Sequence, residues 1–126
     1  MPLYTVMTQA GVLSGEAKAG LAARLTATHA EYAGVPMNWV HVIFLDYAER
    51  SGFTAGEPAA AAALTLLIRS GRSPEYKRGL LTRIWALFQA ATGAPDDQIV
   101  IGIQEVSASQ AMEMGKIMPD VPSPQA

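Results

Sequence analysis

The chain has 126 residues, of which 50% are hydrophobic and 16% charged, so it is expected to form one domain over 1–126 with a sizeable core; its net charge of -2 removes any electrostatic drive toward nucleic acid or an anionic membrane face. There is no cysteine, which excludes disulfides and thiol chemistry. Met1-Pro2-Leu3-Tyr4 lacks the basic and apolar regions of a signal peptide, and the apolar run from Ala59 is interrupted by Thr65 and stopped by Arg69, too short to cross a bilayer. The expectation is a soluble cytoplasmic protein.

In chain order, Leu3 to Thr8 reads as a short strand. Ser14 is an N-cap, with Glu16 suited to the positive helix end, and Leu21, Leu25 and His29 recur at spacing four on one helix face. Gly34 and Pro36 end that helix, and Trp39 to Leu45 is the strand that closes the unit. Residues 47–60 form a connector carrying the turn signals Ser51-Gly52 and Gly56-Glu57-Pro58. The order then repeats: strand Ala63 to Ile68, cap Ser73 with Glu75, and a helix whose face is Leu80, Ile84, Leu87, Phe88 and Ala91. The stop Gly93/Pro95 and the strand Gln98 to Val106 complete it. The tail, 107–126, has a short helical stretch carrying Glu113, then Pro119, Pro122 and Pro124, with mobility expected in the last few residues.

The two halves are related at a gapless offset of 59. Ser14-x-Glu16-x-Lys18-x-Gly20-Leu21 returns as Ser73-x-Glu75-x-Lys77-x-Gly79-Leu80, Gly34-x-Pro36 as Gly93-x-Pro95, and the apolar stretch Val40 to Phe44 as Ile99 to Ile103. Each half is a strand–helix–strand unit (2–46 and 61–106), whose crossover makes its two strands parallel and its connection right-handed. Two such units predict an α+β fold: a four-stranded sheet with two helices on one face.

Duplication supplies an internal control, because polar residues opposite ordinary core residues are candidates for function. At offset 59, His29 stands opposite Phe88, Arg69 opposite Ala10, Arg72 opposite Leu13 and Pro2 opposite Ala61. If a pseudo-twofold axis relates the halves, the first and third strands lie side by side and antiparallel, and Pro2 falls near Arg69. Removal of Met1 would leave Pro2 as a free secondary amine, with a reference pKa near ~8 that burial and nearby cations lower, in the range proton transfer prefers. Arg69 and Arg72 read either as a solvated turn or as a clamp for a carboxylate, which planar guanidinium groups bind bidentately. His29 reads as a core histidine or as a ligand, and His41, in mid-strand, as structural or interfacial. The chain has neither a metal-ligand spacing nor a phosphate-cradling glycine loop, so no cofactor is expected.

Pro2 on a duplicated strand–helix–strand unit resembles the tautomerase superfamily, built from 4-oxalocrotonate tautomerase-like units. His29, Arg69-Ser-Gly-Arg72-Ser73-x-Glu75 and Gln110-x-Met112-Glu113-x-Gly115 are similar to the cis-3-chloroacrylic acid dehalogenase group, over roughly Pro2 to Pro119. The resemblance implies that Pro2 delivers a proton to the substrate, that Arg69, Arg72 and His29 hold its carboxylate, and that Glu113 activates water. By itself Glu113 also reads as an ordinary exposed helix residue. The group's tyrosine falls on Gly102, which puts full dehalogenase efficiency in doubt and leaves Tyr4, Tyr32 or Tyr47 as substitutes. The resemblance further implies a small carboxylate substrate and a homotrimer. The activity expected is enol–keto tautomerisation, with hydration or dehalogenation of 3-halo-acrylates weak or absent. A non-catalytic trimeric binding protein, or a decarboxylase or biosynthetic step at the same site, stands as the alternative.

Overall fold

The computed structural model describes residues 1–122. The expected mobility at the chain end, including Pro124, concerns residues outside that range. The elements are β1 (Leu3–Gln9), α1 (Gly15–Ala33), β2 (His41–Tyr47), β3 (Phe53–Thr54), β4 (Glu57–Pro58), β5 (Ala62–Arg69), α2 (Pro74–Thr92), β6 (Ile99–Val106), β7 (Met112–Glu113) and β8 (Lys116–Ile117). The sheet order is β2-β1-β5-β6. β1/β2 and β5/β6 are parallel, and the central β1/β5 pair is antiparallel about Thr5 opposite Thr65. This is the α+β arrangement predicted from the repeat.

Both helices form for the reasons legible in the chain. Ser14 Oγ accepts from the Ala17 amide and Ser73 Oγ from the Tyr76 amide, each at 3.1 Å. At the other ends Gly34 and Gly93 take φ of 68° and 67°, a left-handed cap that costs glycine nothing. Leu21, Leu25 and His29 of α1, and Leu80, Ile84 and Phe88 of α2, are buried against Tyr4, Val6, Leu64 and Leu66 of the central strands. Each fully buried leucine or isoleucine contributes about 1.5–3 kcal/mol. Lys18–Asp46 and Lys77–Glu105 tie each helix to its closing strand at 2.8 and 2.9 Å, at equivalent places in the two halves.

Three local expectations are corrected. First, the offset is not gapless. Leu3 faces His41 and Ala63 faces Val100, and since His41 and Val100 are 59 apart the first strands are equivalent at 60. The burial alternation agrees, with Tyr4, Val6 and Thr8 matching Leu64, Leu66 and Ile68. The link from strand to helix cap is one residue shorter in the second half, so Pro2 corresponds to Ala62 and Arg69 to Gln9. Second, the closing strands start later: Met37–Trp39 and Asp96–Gln98 form single 3₁₀ turns after Pro36 and Pro95.

Third, Glu113 is not helical. Only Ala108–Gln110 makes a turn of 3₁₀ helix, and Glu113 then lies in a hairpin, β7/β8, closed by Met114 and Gly115 at φ 52° and 73°. Two consecutive left-handed residues are the loop whose twist matches paired strands. The connector holds the same device, β3/β4 closed by Ala55 and Gly56 at φ 53° and 78°. The hairpins are again 59 apart, with Thr54 opposite Glu113.

Candidate active site

The site lies at one end of the central strand pair. Residue 1 precedes β1 and runs beside the end of β5, because Leu3 faces Leu67 in an antiparallel pair. Pro2 is buried, and its carbonyl accepts from the His41 amide at 3.1 Å. Arg69, the last residue of β5, is 8% exposed, and its Nη1 donates to the Pro119 carbonyl at 2.6 Å. Arg72 follows Gly71, whose φ of 116° turns the chain and whose bare Cα accommodates Val121. The Arg72 guanidinium stands 4.7 Å from the centre of the Tyr76 ring, a cation–π contact that fixes a planar donor in place.

Met1, His29, Arg69, Arg72, Tyr76 and Val121 line one cavity of about 20 Å³, space for about one water. Met1 lines this cavity together with the two arginines and His29. Its ammonium pairs with the Glu113 carboxylate. Glu113 does not line this cavity. It lines an adjoining, mainly apolar groove of about 630 Å³ with Trp39, His41, Met114 and Met118. The N-terminal residue is therefore the joint between an arginine-rich cavity and a groove edged by one carboxylate.

Burial, then the Arg72 charge, then the N-terminal ammonium hold the His29 imidazole down to about 4. Burial pushes the Tyr76 phenol up against the opposing pull of Arg72. The cavity thus brings together a neutral imidazole and two guanidinium groups, side chains whose N–H donors suit an anion. Among the described residues no cluster of three or more His, Cys, Asp or Glu side chains could hold a metal ion, and no helix is long and apolar enough to cross a membrane.

His29, Arg69 and Arg72 thus line one cavity with Met1, while Pro2 is buried next to Met1 in the chain and does not itself line the cavity, and Glu113 lies across the terminal amine. The substitutes considered for the tyrosine do not meet there as free hydroxyls. Tyr4 is bonded to His29, Tyr32 donates to the Tyr76 carbonyl, and Tyr47 donates to the Ala61 carbonyl. Gly102 sits on the helix-free face of the sheet opposite Thr65, four residues, or roughly 13 Å, along β5 from Arg69. A side chain there would lie away from this cavity. Sequence reasoning missed Tyr76, which lines the cavity, and the hydrogen bond of Tyr4 to His29. Tyr76 was legible as an aromatic residue four positions beyond Arg72, and Tyr4 becomes legible once the strands are aligned at 60, where its counterpart is Leu64.

The family described as "Putative oxalocrotonate tautomerase enzyme" matches residues 1–126. A "Probable tautomerase" of Bacillus cereus is 33% identical over 57 residues, covering 45% of this chain and 93% of its own, about the length of one repeat. The crystal structure of N1, a member of the cis-3-chloroacrylic acid dehalogenase family, is 30% identical with a TM-score of 0.87, over 94% of this chain and 85% of its own. A fused 4-OT wild-type symmetric trimer is 22% identical with a TM-score of 0.83, over 92% and 94%, a likeness of fold. The cavity at the end of a duplicated strand–helix–strand unit, and the match over the whole chain, lead to one conclusion: this chain belongs to the tautomerase superfamily.

Proposed function

We propose that the chain, with Met1 removed, uses the secondary amine of Pro2 as acid or base on small unsaturated or keto/enol carboxylic acids. The observation that carries this reading is the cavity in which the N-terminal residue is enclosed by His29, Arg69 and Arg72. Loss of Met1 vacates the space between them and moves the terminal amine to Pro2. The substrate carboxylate binds the two guanidinium groups and the His29 ring. In tautomerisation the Pro2 amine takes the proton from the enol oxygen and returns it to carbon, so no other reactant is consumed. In hydration the Glu113 carboxylate takes a proton from water as its oxygen adds to the β-carbon, and the Pro2 ammonium protonates the α-carbon. Hydration and dehalogenation are weak here, because Glu113 works without a free neighbouring phenol from the three tyrosines expected to assist it.

The assembly is a homotrimer in this reading. Met7, Ile43, Leu45 and Val100 are 41%, 50%, 47% and 70% exposed on the sheet face that carries no helix. A contiguous apolar face of this kind is uncommon on a monomer, and a similar fused 4-OT protein is a trimer. The loss of the tyrosine at Gly102 favours a second reading, a non-catalytic binding protein on the same scaffold. Decarboxylation or a biosynthetic step at the same site would use the same groups.

The test follows the enol form of phenylpyruvate and 3-chloroacrylate with wild type, Pro2→Ala and Glu113→Gln. Pro2→Ala lowers tautomerisation by about 10²–10⁴, the usual worth of a general acid–base group. Glu113→Gln spares tautomerisation and removes what hydration there is. Wild type and a folded Pro2→Ala protein that are both inactive would reject the reading in favour of the binding protein, and equal measurable rates would reject Pro2 as the acid–base group.

A further inference from the structure

We propose that Tyr4 is a positioning residue: its hydroxyl donates to His29 Nδ1, fixing the imidazole as the tautomer that presents Nε2–H to the cavity between Arg69 and Arg72. The inference rests on the carboxylate-binding role given to His29 above. Tyr4 is 0% exposed, and its hydroxyl lies 2.7 Å from Nδ1 with the two rings edge to face, 5.5 Å between centroids. His29 is the one hydrogen-bond partner of that hydroxyl among the described residues.

The direction of the bond follows from the proton count. If Nδ1–H donated to Tyr4, the phenol proton would point into a dry core with no acceptor, at the cost of an unsatisfied buried donor. With Tyr4 donating, its proton has Nδ1 as acceptor, and the one contact satisfies both buried groups. A neutral imidazole has one N–H, so it falls on Nε2. That nitrogen has no partner in the described chain, and His29 lines the cavity. The opposite tautomer would turn a bare lone pair toward the anion. Burial supports the same assignment, since it pushes the Tyr4 phenol well above its ordinary range and keeps His29 neutral.

The second half of the chain is the control. At the structural equivalences found above, Tyr4 and His29 correspond to Leu64 and Phe88, both buried. The same place in the fold is therefore filled by an apolar pair where no guanidinium groups gather, so packing alone does not call for a hydroxyl or an imidazole. Tyr4 and His29 differ from their counterparts together, at the end of the sheet that carries the arginines.

The experiment is ¹⁵N NMR of the imidazole nitrogens in full-length protein (two histidines, two rings) with kinetics on the enol form of phenylpyruvate. Wild type shows His29 protonated on Nε2 alone. Tyr4→Phe keeps the ring but frees Nδ1, so the tautomers mix. KM then rises about tenfold, the factor expected for one ordinary hydrogen bond, with kcat changed far less. In a His29→Gln background Tyr4→Phe adds no rise specific to the imidazole. A wild-type His29 protonated on Nδ1 overturns the proposal without any variant. So does a Tyr4→Phe protein that loses thermal stability but keeps the wild-type tautomer and KM. Loss of the Pro2→Ala effect would instead reject the catalytic reading and leave the tautomer measurement standing.

Discussion

His29 shows how one buried side chain ties the site to the stability of the fold. It is 4% exposed, and its imidazole is held down to about 4 from an ordinary value of 6.5, first by burial and then by Arg72 and the N-terminal ammonium. The unfolded chain therefore binds a proton near pH 6.5 that the folded chain refuses until about pH 4. The resulting stabilisation is whole above 6.5, falls as pH drops from 6.5 to 4, and levels off below. Its size is on the order of 3 kcal/mol. Denaturant unfolding of wild type and His29→Gln between pH 7 and 4 measures it: the wild-type curve falls through this window, and the variant's pH dependence is flatter by that amount. Parallel curves would mean that the imidazole titrates much as in water. His29 stood out in the sequence because an internal copy put Phe88 in its place. Tyr4 did not, because a one-residue slip in the loop before α2 hid its match to Leu64, and a slip of one moves a strand residue to the other face.

At the scale of elements, capping and periodicity fixed the helices. Ser14, Ser73, Gly34 and Gly93 act through local hydrogen bonds and backbone conformation, which sequence records directly. The hairpins were harder, because two-residue strands carry too little alternation to tell from a helical turn and Met114-Gly115 is a weaker turn signal than Asn-Gly. Yet the β7/β8 hairpin delivers Glu113 to the terminal amine. Gly115 sits at φ 73°, a conformation that costs a β-branched residue about 1–2 kcal/mol. Gly115→Val should loosen the hairpin, lower hydration of 3-chloroacrylate several-fold and leave tautomerisation near its wild-type rate. Unchanged hydration in a variant with a lowered melting temperature would show that Glu113 does not depend on the turn.

Across the whole molecule, the two pseudo-equivalent ends of the sheet have diverged. One gathers Pro2, Tyr4, His29, Arg69 and Glu113, and the other holds Ala62, Leu64, Phe88, Gln9 and Thr54 in the same places. The axis between them passes through the sheet at Thr5 and Thr65, whose side chains lie on the helix-free face whose apolar residues we propose to be covered in a trimer. Ile43→Asp, in the middle of β2 on that face, should shift the mass measured by light scattering from three chains toward one. A wild type that is already monomeric would remove the assembly from the account. The central claim concerns the terminal amine, and the most direct measurement alters that amine and leaves every residue from Pro2 onward unchanged. Protein cleaved to begin at Pro2 is compared with protein keeping one extra residue before it, using the enol form of phenylpyruvate. The account predicts that the added residue, which turns the amine into an amide and refills the cavity, lowers kcat/KM by at least about 10²; equal rates for the two forms would contradict it.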